Sequence, residues 1–304
     1  MRRAGRVAGA LGLLAAPVLA GCAGSSGPPG SPGLAATSMR PAPAGLSATL
    51  SQDRLDADAH RITASIRNDS AHPMRIGQVA LAAAQFTPAA PTTWNMTLPA
   101  HDELDLWFGY GNPVCPAGAG APAPSMPALD LTLGSGDTAG AAAPTRLPVT
   151  GDVLVGELAA DGCAEHAVAV AVDITYGPAW RRTRIDGLPA LVGELQLTRG
   201  TARGQVTVTD YQGSPVYQLL ALPPARLPQV ALPAAAATER LPVVIRVGRC
   251  DSHGLTEAKR LFAWRVYVRI GAGPEQKGNL EPPDELRARV HALLADCGTR
   301  PVAG

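Results

Sequence analysis

Residues 61–67 read Arg-Ile-Thr-Ala-Ser-Ile-Arg, a stretch in which apolar and polar side chains alternate without interruption. Successive side chains of a β-strand point to opposite faces, so this alternation predicts a strand with one buried face and one face in water. Ile62, Ala64 and Ile66 would lie inside, as is typical of a half-buried strand in an antiparallel sheet. Residues 68–70 follow as Asn-Asp-Ser, and these residue types favour a turn.

Other segments of the N-terminal half repeat this alternation of apolar and polar residues. They cover residues 74–81, 104–108 and 129–133. Short strands separated by turn-forming residues favour a sandwich of two antiparallel sheets. We therefore predict a first β-sandwich domain, of immunoglobulin-like type, over residues 46–147.

The C-terminal half carries comparable apolar patterns. Apolar side chains occupy every second position from residue 168 to residue 176, which predicts one long strand. These side chains are Val168, Val170, Val172, Ile174 and Tyr176. Further strands are predicted over residues 206–208, 243–247 and 262–270. We predict a second immunoglobulin-like β-sandwich domain over residues 148–304.

Only the C-terminus of the mature chain predicts a helix. Its apolar residues recur at i, i+4, i+7 and i+8, which places them on one helical stripe. They are Leu286, Val290, Leu293 and Leu294, and we expect Arg287, Arg289 and Asp296 to face water. Pro283 suits the first turn and Gly298 suits the end. The predicted fold is mainly β, with two antiparallel β-sandwich domains and one C-terminal helix packed on the second.

The N-terminus has the parts of an export signal. Basic residues at positions 2, 3 and 6 precede an apolar stretch over residues 7–20, which is too short to cross a bilayer. Leu19-Ala20-Gly21-Cys22 resembles the bacterial lipobox. The resemblance implies that the Cys22 thiol receives a diacylglycerol and that residues 1–21 are removed as a lipoprotein signal peptide. The alternative is an ordinary secretory signal with a chance cysteine.

Beyond the signal, the composition sets limits on partners and location. Residues 22–45 are rich in Gly, Ser and Pro, and we expect them to form a disordered tether. The formal net charge of +1 gives no global field that favours nucleic acid. We expect the membrane, reached through the Cys22 lipid, and a protein or cell-wall partner. The predicted location is the extracytoplasmic face of the cell membrane, and no cofactor is predicted.

Four cysteines remain after Cys22, namely Cys115, Cys163, Cys250 and Cys297. An even number in an exported chain predicts two disulfides, although sequence alone does not choose their pairing. We favour Cys115 with Cys163 and Cys250 with Cys297, because each pair joins neighbours in chain order.

A repeated Cys-x-x-His pattern offers an alternative for these cysteines. Cys163 and His166 form one copy, and Cys250 and His253 form the other. Two cysteines and two histidines hold zinc tetrahedrally if the copies meet in space. Because thiols in an exporting compartment are more often oxidised than metallated, we predict disulfides and no metal site.

Two further clusters carry charge. Asp102, Glu103 and Asp105 lie near aromatic residues; paired carboxylates can serve a glycosidase, but their alternation favours the solvated face of a strand. Residues 180–184 read Trp-Arg-Arg-Thr-Arg. They can dock an acidic polymer or anionic headgroups, although a solvated loop is the preferred interpretation.

The layout resembles that of actinobacterial cell-surface lipoproteins of uncharacterised function. The residues that carry the resemblance are the lipobox, the Gly/Ser/Pro tether and the stretch Gly248-Arg249-Cys250-Asp251-Ser252-His253, which Glu257-Ala258-Lys259-Arg260 follows. The resemblance implies anchoring and location, and it implies no known activity.

The expected function is therefore a lipid-anchored, non-enzymatic binding or scaffolding role in the cell envelope. The common hydrolase, zinc-protease, phosphate-loop and penicillin-binding motifs are missing, so no catalytic residue is predicted. Catalytic groups also assemble from distant positions. The alternative thus stays open: an envelope enzyme or metal-binding protein with its site in the second domain.

Overall fold

Antiparallel sheets form most of the molecule, as the alternating segments predict. The computed structural model describes residues 39–53, 55–57, 59–116, 125–135, 142–249 and 260–299. Every strand predicted in the N-terminal half lies within a slightly longer observed strand. The signal peptide, most of the predicted tether, Cys22, Cys250 and His253 lie outside the described residues.

Eight strands of the described N-terminal half form two sheets. They are β1 (Arg40–Pro41), β2 (Leu46–Ser51), β3 (Arg61–Asn68), β4 (Met74–Ala82), β5 (Thr92–Leu98), β6 (Asp102–Gly109), β7 (Ala128–Ser135) and β8 (Ala143–Pro148). The larger sheet has the order β1-β8-β7-β4-β5 and the smaller has the order β2-β3-β6. β1 pairs in parallel with β8, so residues 40 and 41 belong to a sheet although they fall within the predicted tether.

The inner faces of these two sheets meet in a first buried core. Ile62, Leu106 and Phe108 come from the smaller sheet, and Ile76 and Leu129 come from the larger one; all five are fully buried. The packing of two antiparallel sheets is that of a β-sandwich. The apolar and polar residues of 61–67 therefore alternate because one face of β3 is buried in this core, as the sequence predicts.

The turn after β3 is held by one buried asparagine. Asn68 donates two hydrogen bonds of 2.9 Å, to the carbonyls of His72 and Pro99. Its amide oxygen accepts hydrogen bonds from the backbone N–H and the hydroxyl of Ser70. Because all its polar atoms have partners, the side chain tolerates complete burial, and the turn predicted over residues 68–70 is confirmed.

Nine strands and two helices form the described C-terminal half. They are α1 (Asp152–Ala171), β9 (Val172–Tyr176), β10 (Arg181–Ile185), β11 (Leu188–Arg199), β12 (Val206–Gln212), β13 (Tyr217–Ala221), β14 (Gln229–Leu232), β15 (Thr238–Val247), β16 (Arg265–Ile270), β17 (Glu275–Asn279) and α2 (Asp284–His291). A 3-10 helix follows at Leu294–Thr299. One sheet has the order β10-β11-β15-β13, with β9 also paired to β11, and the other has the order β14-β12-β16-β17.

The prediction of one long strand over residues 168–176 is wrong for the first part of that range. Val168 and Val170 belong to α1, and only the residues from Val172 onward form β9. The helix escapes prediction because its buried side changes along its length. Val155 and Ala159 pack into the first core, whereas Val168 packs into the second. A helix with two apolar directions shows no single stripe.

The predicted apolar stripe is buried as expected, but the α-helix is shorter than predicted: α2 ends at His291, Leu293 lies in the following turn and Leu294 begins the 3-10 helix. Leu286, Val290 and Leu293 are buried in the second core, and Leu294 packs against it partly buried. The expectation for the polar residues is only partly met, because Arg287 and Arg289 are half-buried. Arg287 donates 2.7 Å to the carbonyl of Pro282, and Arg289 donates to the carbonyl of Trp180. These carbonyls draw the guanidinium groups toward the body of the protein.

All the described residues belong to one compact unit that begins at Ser38. Within it the two cores remain distinct, and α1 contributes side chains to both. The division into domains at residues 147 and 148 stays a prediction. Neither α1 nor any other helix of the described ranges combines the length and apolar character that crossing a bilayer demands.

Candidate binding cleft

A cleft of about 730 Å³ opens beside α1. Its walls come from the segment before β3, the segment after β6, α1 itself, β9 and β17. The polar side chains that line it are His60, Asn112, Glu165, His166, Asp173 and Asn279. These groups come from distant parts of the chain, and only His166 among them is predicted from the sequence.

A disulfide forms part of the cleft wall. Cys115 bonds to Cys163, with 5.4 Å between their Cα atoms and 48 positions between them in the sequence. The bond ties α1 to the segment that follows β6, so the first predicted pairing is confirmed. Cys250 lies outside the described residues, and nothing is described of the Cys297 side chain. Their pairing therefore stays a prediction.

This disulfide removes one ligand from the proposed zinc site. Zinc binds the thiolate form of cysteine, and the sulfur of Cys163 is bonded to that of Cys115 instead. His166 lies exposed on α1. Among the described residues, no three His, Cys, Asp or Glu side chains converge as metal ligands would. The alternative four-residue site therefore cannot use Cys163 as a ligand while this disulfide is present.

Ion pairs fix the helical wall of the cleft against β16 and β17. Lys277 on β17 lies 2.5 Å from Asp161 on α1, and Arg265 on β16 lies 3.8 Å from Glu165. Arg265 also donates 2.7 Å to the side-chain oxygen of Asn279. Since Glu165 and Asn279 both line the cleft, the same guanidinium orients two of its polar groups.

Aromatic rings support the opposite wall. The imidazole of His60 stacks on Tyr110 with 5.5 Å between ring centroids, and the edge of Phe86 packs against Tyr110 at 5.1 Å. Burial raises the pKa of Tyr110, and the carboxylates of Glu165 and Asp161 raise it further, whereas a hydrogen bond from Gln52 lowers it. The phenol therefore stays neutral at physiological pH. The cleft offers fixed hydrogen-bonding groups to a polar ligand.

The cluster at residues 180–184 differs from its prediction. Trp180 is 8% exposed, and its indole N–H donates 2.8 Å to the carbonyl of Gly177. The following residues form strand β10 rather than a loop. Arg182 pairs with Asp296 at 2.5 Å, and Arg184 donates to the carbonyl of Gly187. Contacts within the protein thus engage two of the three cations proposed to dock a polyanion.

The acidic cluster behaves as predicted. Asp102, Glu103 and Asp105 lie exposed on β6. Asp105 accepts a hydrogen bond from the hydroxyl of Ser65, and Glu103 lies 3.8 Å from Arg67. These carboxylates form the solvated face of a strand, and they do not line the cleft.

Comparisons with known proteins add little to this geometry. No family model matches the chain, and no curated protein matches its sequence. Among solved structures, the chain is similar to the B domain of a biofilm associated protein, with 9% sequence identity over 77% of this chain and 85% of that chain. The TM-score is 0.18, so this likeness carries no argument about fold or function.

Proposed function

We propose that the protein is a lipid-anchored binding or scaffolding protein on the extracytoplasmic face of the cell membrane. The observation that carries the proposal is the Cys115–Cys163 disulfide. Disulfides form and persist in oxidising compartments and are rare in the cytosol. The bond therefore supports export of the folded part of the chain, which agrees with the export signal at residues 1–21.

The site that supports binding is the cleft beside α1. Three of its polar groups have contacts that hold them: His60 stacks on Tyr110, and Arg265 contacts both Glu165 and Asn279. Groups fixed in this way lose little freedom when a ligand binds, which favours affinity. A binding or scaffolding role needs no catalytic residue, and residues that connect strands are frequent places for such sites.

The anchor is tested by changing Cys22. We expect Cys22→Ala to move the protein from the membrane fraction to the soluble fraction or to block its processing, because the thiol that would carry the lipid is gone. Incorporation of a palmitate analogue should disappear in the same variant. Ser26→Ala, four residues further on, is the matched control and should keep both properties.

The location is tested separately by adding protease to intact cells. Digestion of the wild-type protein under conditions that spare a cytoplasmic marker supports the extracytoplasmic location. If Cys22→Ala stays as firmly bound to membranes as the wild-type protein, the lipid anchor is wrong. If the protein is protected in intact cells but digested after lysis, the location is wrong.

A further inference from the structure

The outer face of the β2-β3-β6 sheet is a polar surface that surrounds one exposed tryptophan. The register of the strands aligns its side chains in three rows. The rows are Ser51–Thr63–Trp107, Thr49–Ser65–Asp105 and Ser47–Arg67–Glu103. The opposite face of the same strands is buried in the first core. We call these nine residues the outer face of the sheet.

Trp107 is the most exposed of the four tryptophans. It is 47% exposed, whereas Trp180 and Trp264 are 8% and 0% exposed. A single apolar side chain at the surface is ordinary, and Trp107 is distinguished by its aromatic ring set among the polar side chains of this face. The indole is also held in place, because Arg61 lies 4.8 Å from its ring centroid and Trp94 on β5 contacts it at 5.0 Å.

The surroundings of Trp107 exclude several classes of partner. Apart from Trp107 and the adjacent Trp94, this surface carries hydroxyl and charged groups, whereas the core of a protein–protein interface is depleted of charged residues. The nearby guanidinium groups are engaged by carboxylates: Arg61 pairs with Asp56 at 2.7 Å, and Arg67 pairs with Asp69 at 2.8 Å. Because Glu103 and Asp105 add further negative charge, the face disfavours a polyanion or an anionic membrane.

We propose that the outer face of this sheet binds an uncharged polysaccharide. A sugar ring has an apolar C–H face, which fits the indole of Trp107, and a rim of hydroxyl groups, which fits hydroxyl and carboxylate side chains. The proposal rests on the proposed function and names the class of partner. Three strands and three rows make a surface of roughly 10 by 14 Å, which accommodates a short run of linked sugar rings.

Affinity electrophoresis of the full chain, purified with its lipid in a mild detergent, tests this proposal. The gels contain dextran, galactomannan, arabinogalactan or mannan as the uncharged probe. We expect at least one of them to retard the wild-type protein. Trp107→Ala should weaken that binding by about tenfold or more, because truncating a tryptophan at the centre of a binding site commonly costs this much. Trp107→Tyr keeps an aromatic face and should restore most of it.

The control is Val230→Ala, which shortens a side chain that is 49% exposed on β14 in the other half of the molecule. It should bind like the wild-type protein. Thermal melting should show that Trp107→Ala remains folded, since it removes an exposed side chain. If none of the four probes retards the wild-type protein, or if Trp107→Ala binds as well, the proposal is overturned.

Two further measurements separate this proposal from competing explanations. Self-association that Trp107→Ala abolishes in sedimentation experiments would make the outer face an interface between copies, which also overturns the proposal. Trp107→Ala should remain in the membrane fraction. Failure of polysaccharide binding therefore does not contradict the lipid anchor. Retention of Cys22→Ala in the membrane contradicts the proposed function but does not bear on polysaccharide binding.

Discussion

The two cores of this protein are closed in different ways. The first lies between two sheets and receives only the first turns of α1. The second lies between two sheets and also receives the last turns of α1, Leu286 and Val290 of α2, Leu293 after it and several aromatic residues with polar tips. The first core is therefore closed mainly by strands, whereas the second is also closed by two helical segments.

The largest effect should follow from breaking the disulfide that ties α1 to the segment after β6. The double variant Cys115→Ala and Cys163→Ala opens a loop of 48 residues, which costs about 4 kcal/mol in the chain-entropy model. Urea unfolding measures this loss. The variant is preferable to a reductant, which would also break a Cys250–Cys297 bond.

Hydrogen exchange in the same double variant shows where the link acts. Protection should fall more in the first turns of α1 than in the last, because Val168 in the second core and the contact of α1 with β17 still hold the latter. Equal loss of protection along the whole helix would contradict the division of α1 between two cores.

The second prediction concerns the C-terminal segment that closes the second core, namely α2 and the residues that follow it. Leu293 is fully buried, so Leu293→Ala should destabilise the protein by about 3 kcal/mol. Glu285→Ala, on an exposed position of α2, should stay within about 0.5 kcal/mol of the wild-type value. Arg289→Ala is a poorer control because Arg289 contacts Trp180. Equal melting temperatures for Leu293→Ala and the wild-type protein would mean that the C-terminal segment does not pack on the second core.

High pH should loosen the second core before the first. Burial raises the pKa of Tyr217 to about 12, from about 10 in an unfolded chain. The folded state therefore holds this proton more tightly, and the resulting stability is complete below pH 10 and lost as the pH rises toward 12. The near-ultraviolet spectrum of tyrosinate follows the titration. Tyr217→Phe should flatten the fall of stability in this range, and an unchanged pH profile would contradict it.

The smallest effect should come from the ion pair between α1 and β17. The side chains of Lys277 and Asp161 are 22% and 61% exposed, and a pair open to water contributes less than about 1 kcal/mol. A double-mutant cycle with Lys277→Met and Asp161→Asn measures the coupling. A larger value would mean that the helix relies on this pair rather than on its apolar contacts.

The sequence predicts those elements that have one solvent-exposed face and one buried face. β3 and α2 belong to this class, and the turn at Asn68 follows from its residue types. The sequence does not predict α1, because its buried side faces the first core at Val155 and the second core at Val168. No local residue pattern predicts the cleft, because its lining combines segments as distant in the sequence as His60 and Asn279. Trp180 was misplaced because its charged neighbours suggest solvent, whereas Asp296 and Gly177 anchor the segment.

The position of the disulfide also determines when its two cysteines become available during synthesis and export. Cys115 leaves the ribosome ahead of Cys163 by 48 residues, which is a delay of roughly 2–10 s at the usual rates of synthesis. At the start of that interval the first sandwich still lacks β7 and β8 as well as α1, and Cys115 has no native partner. A chain delivered to an oxidising compartment in this order exposes a reactive thiol before the correct one arrives. Thiol oxidases and disulfide isomerases in that compartment can therefore act on Cys115 in the interval before Cys163 arrives.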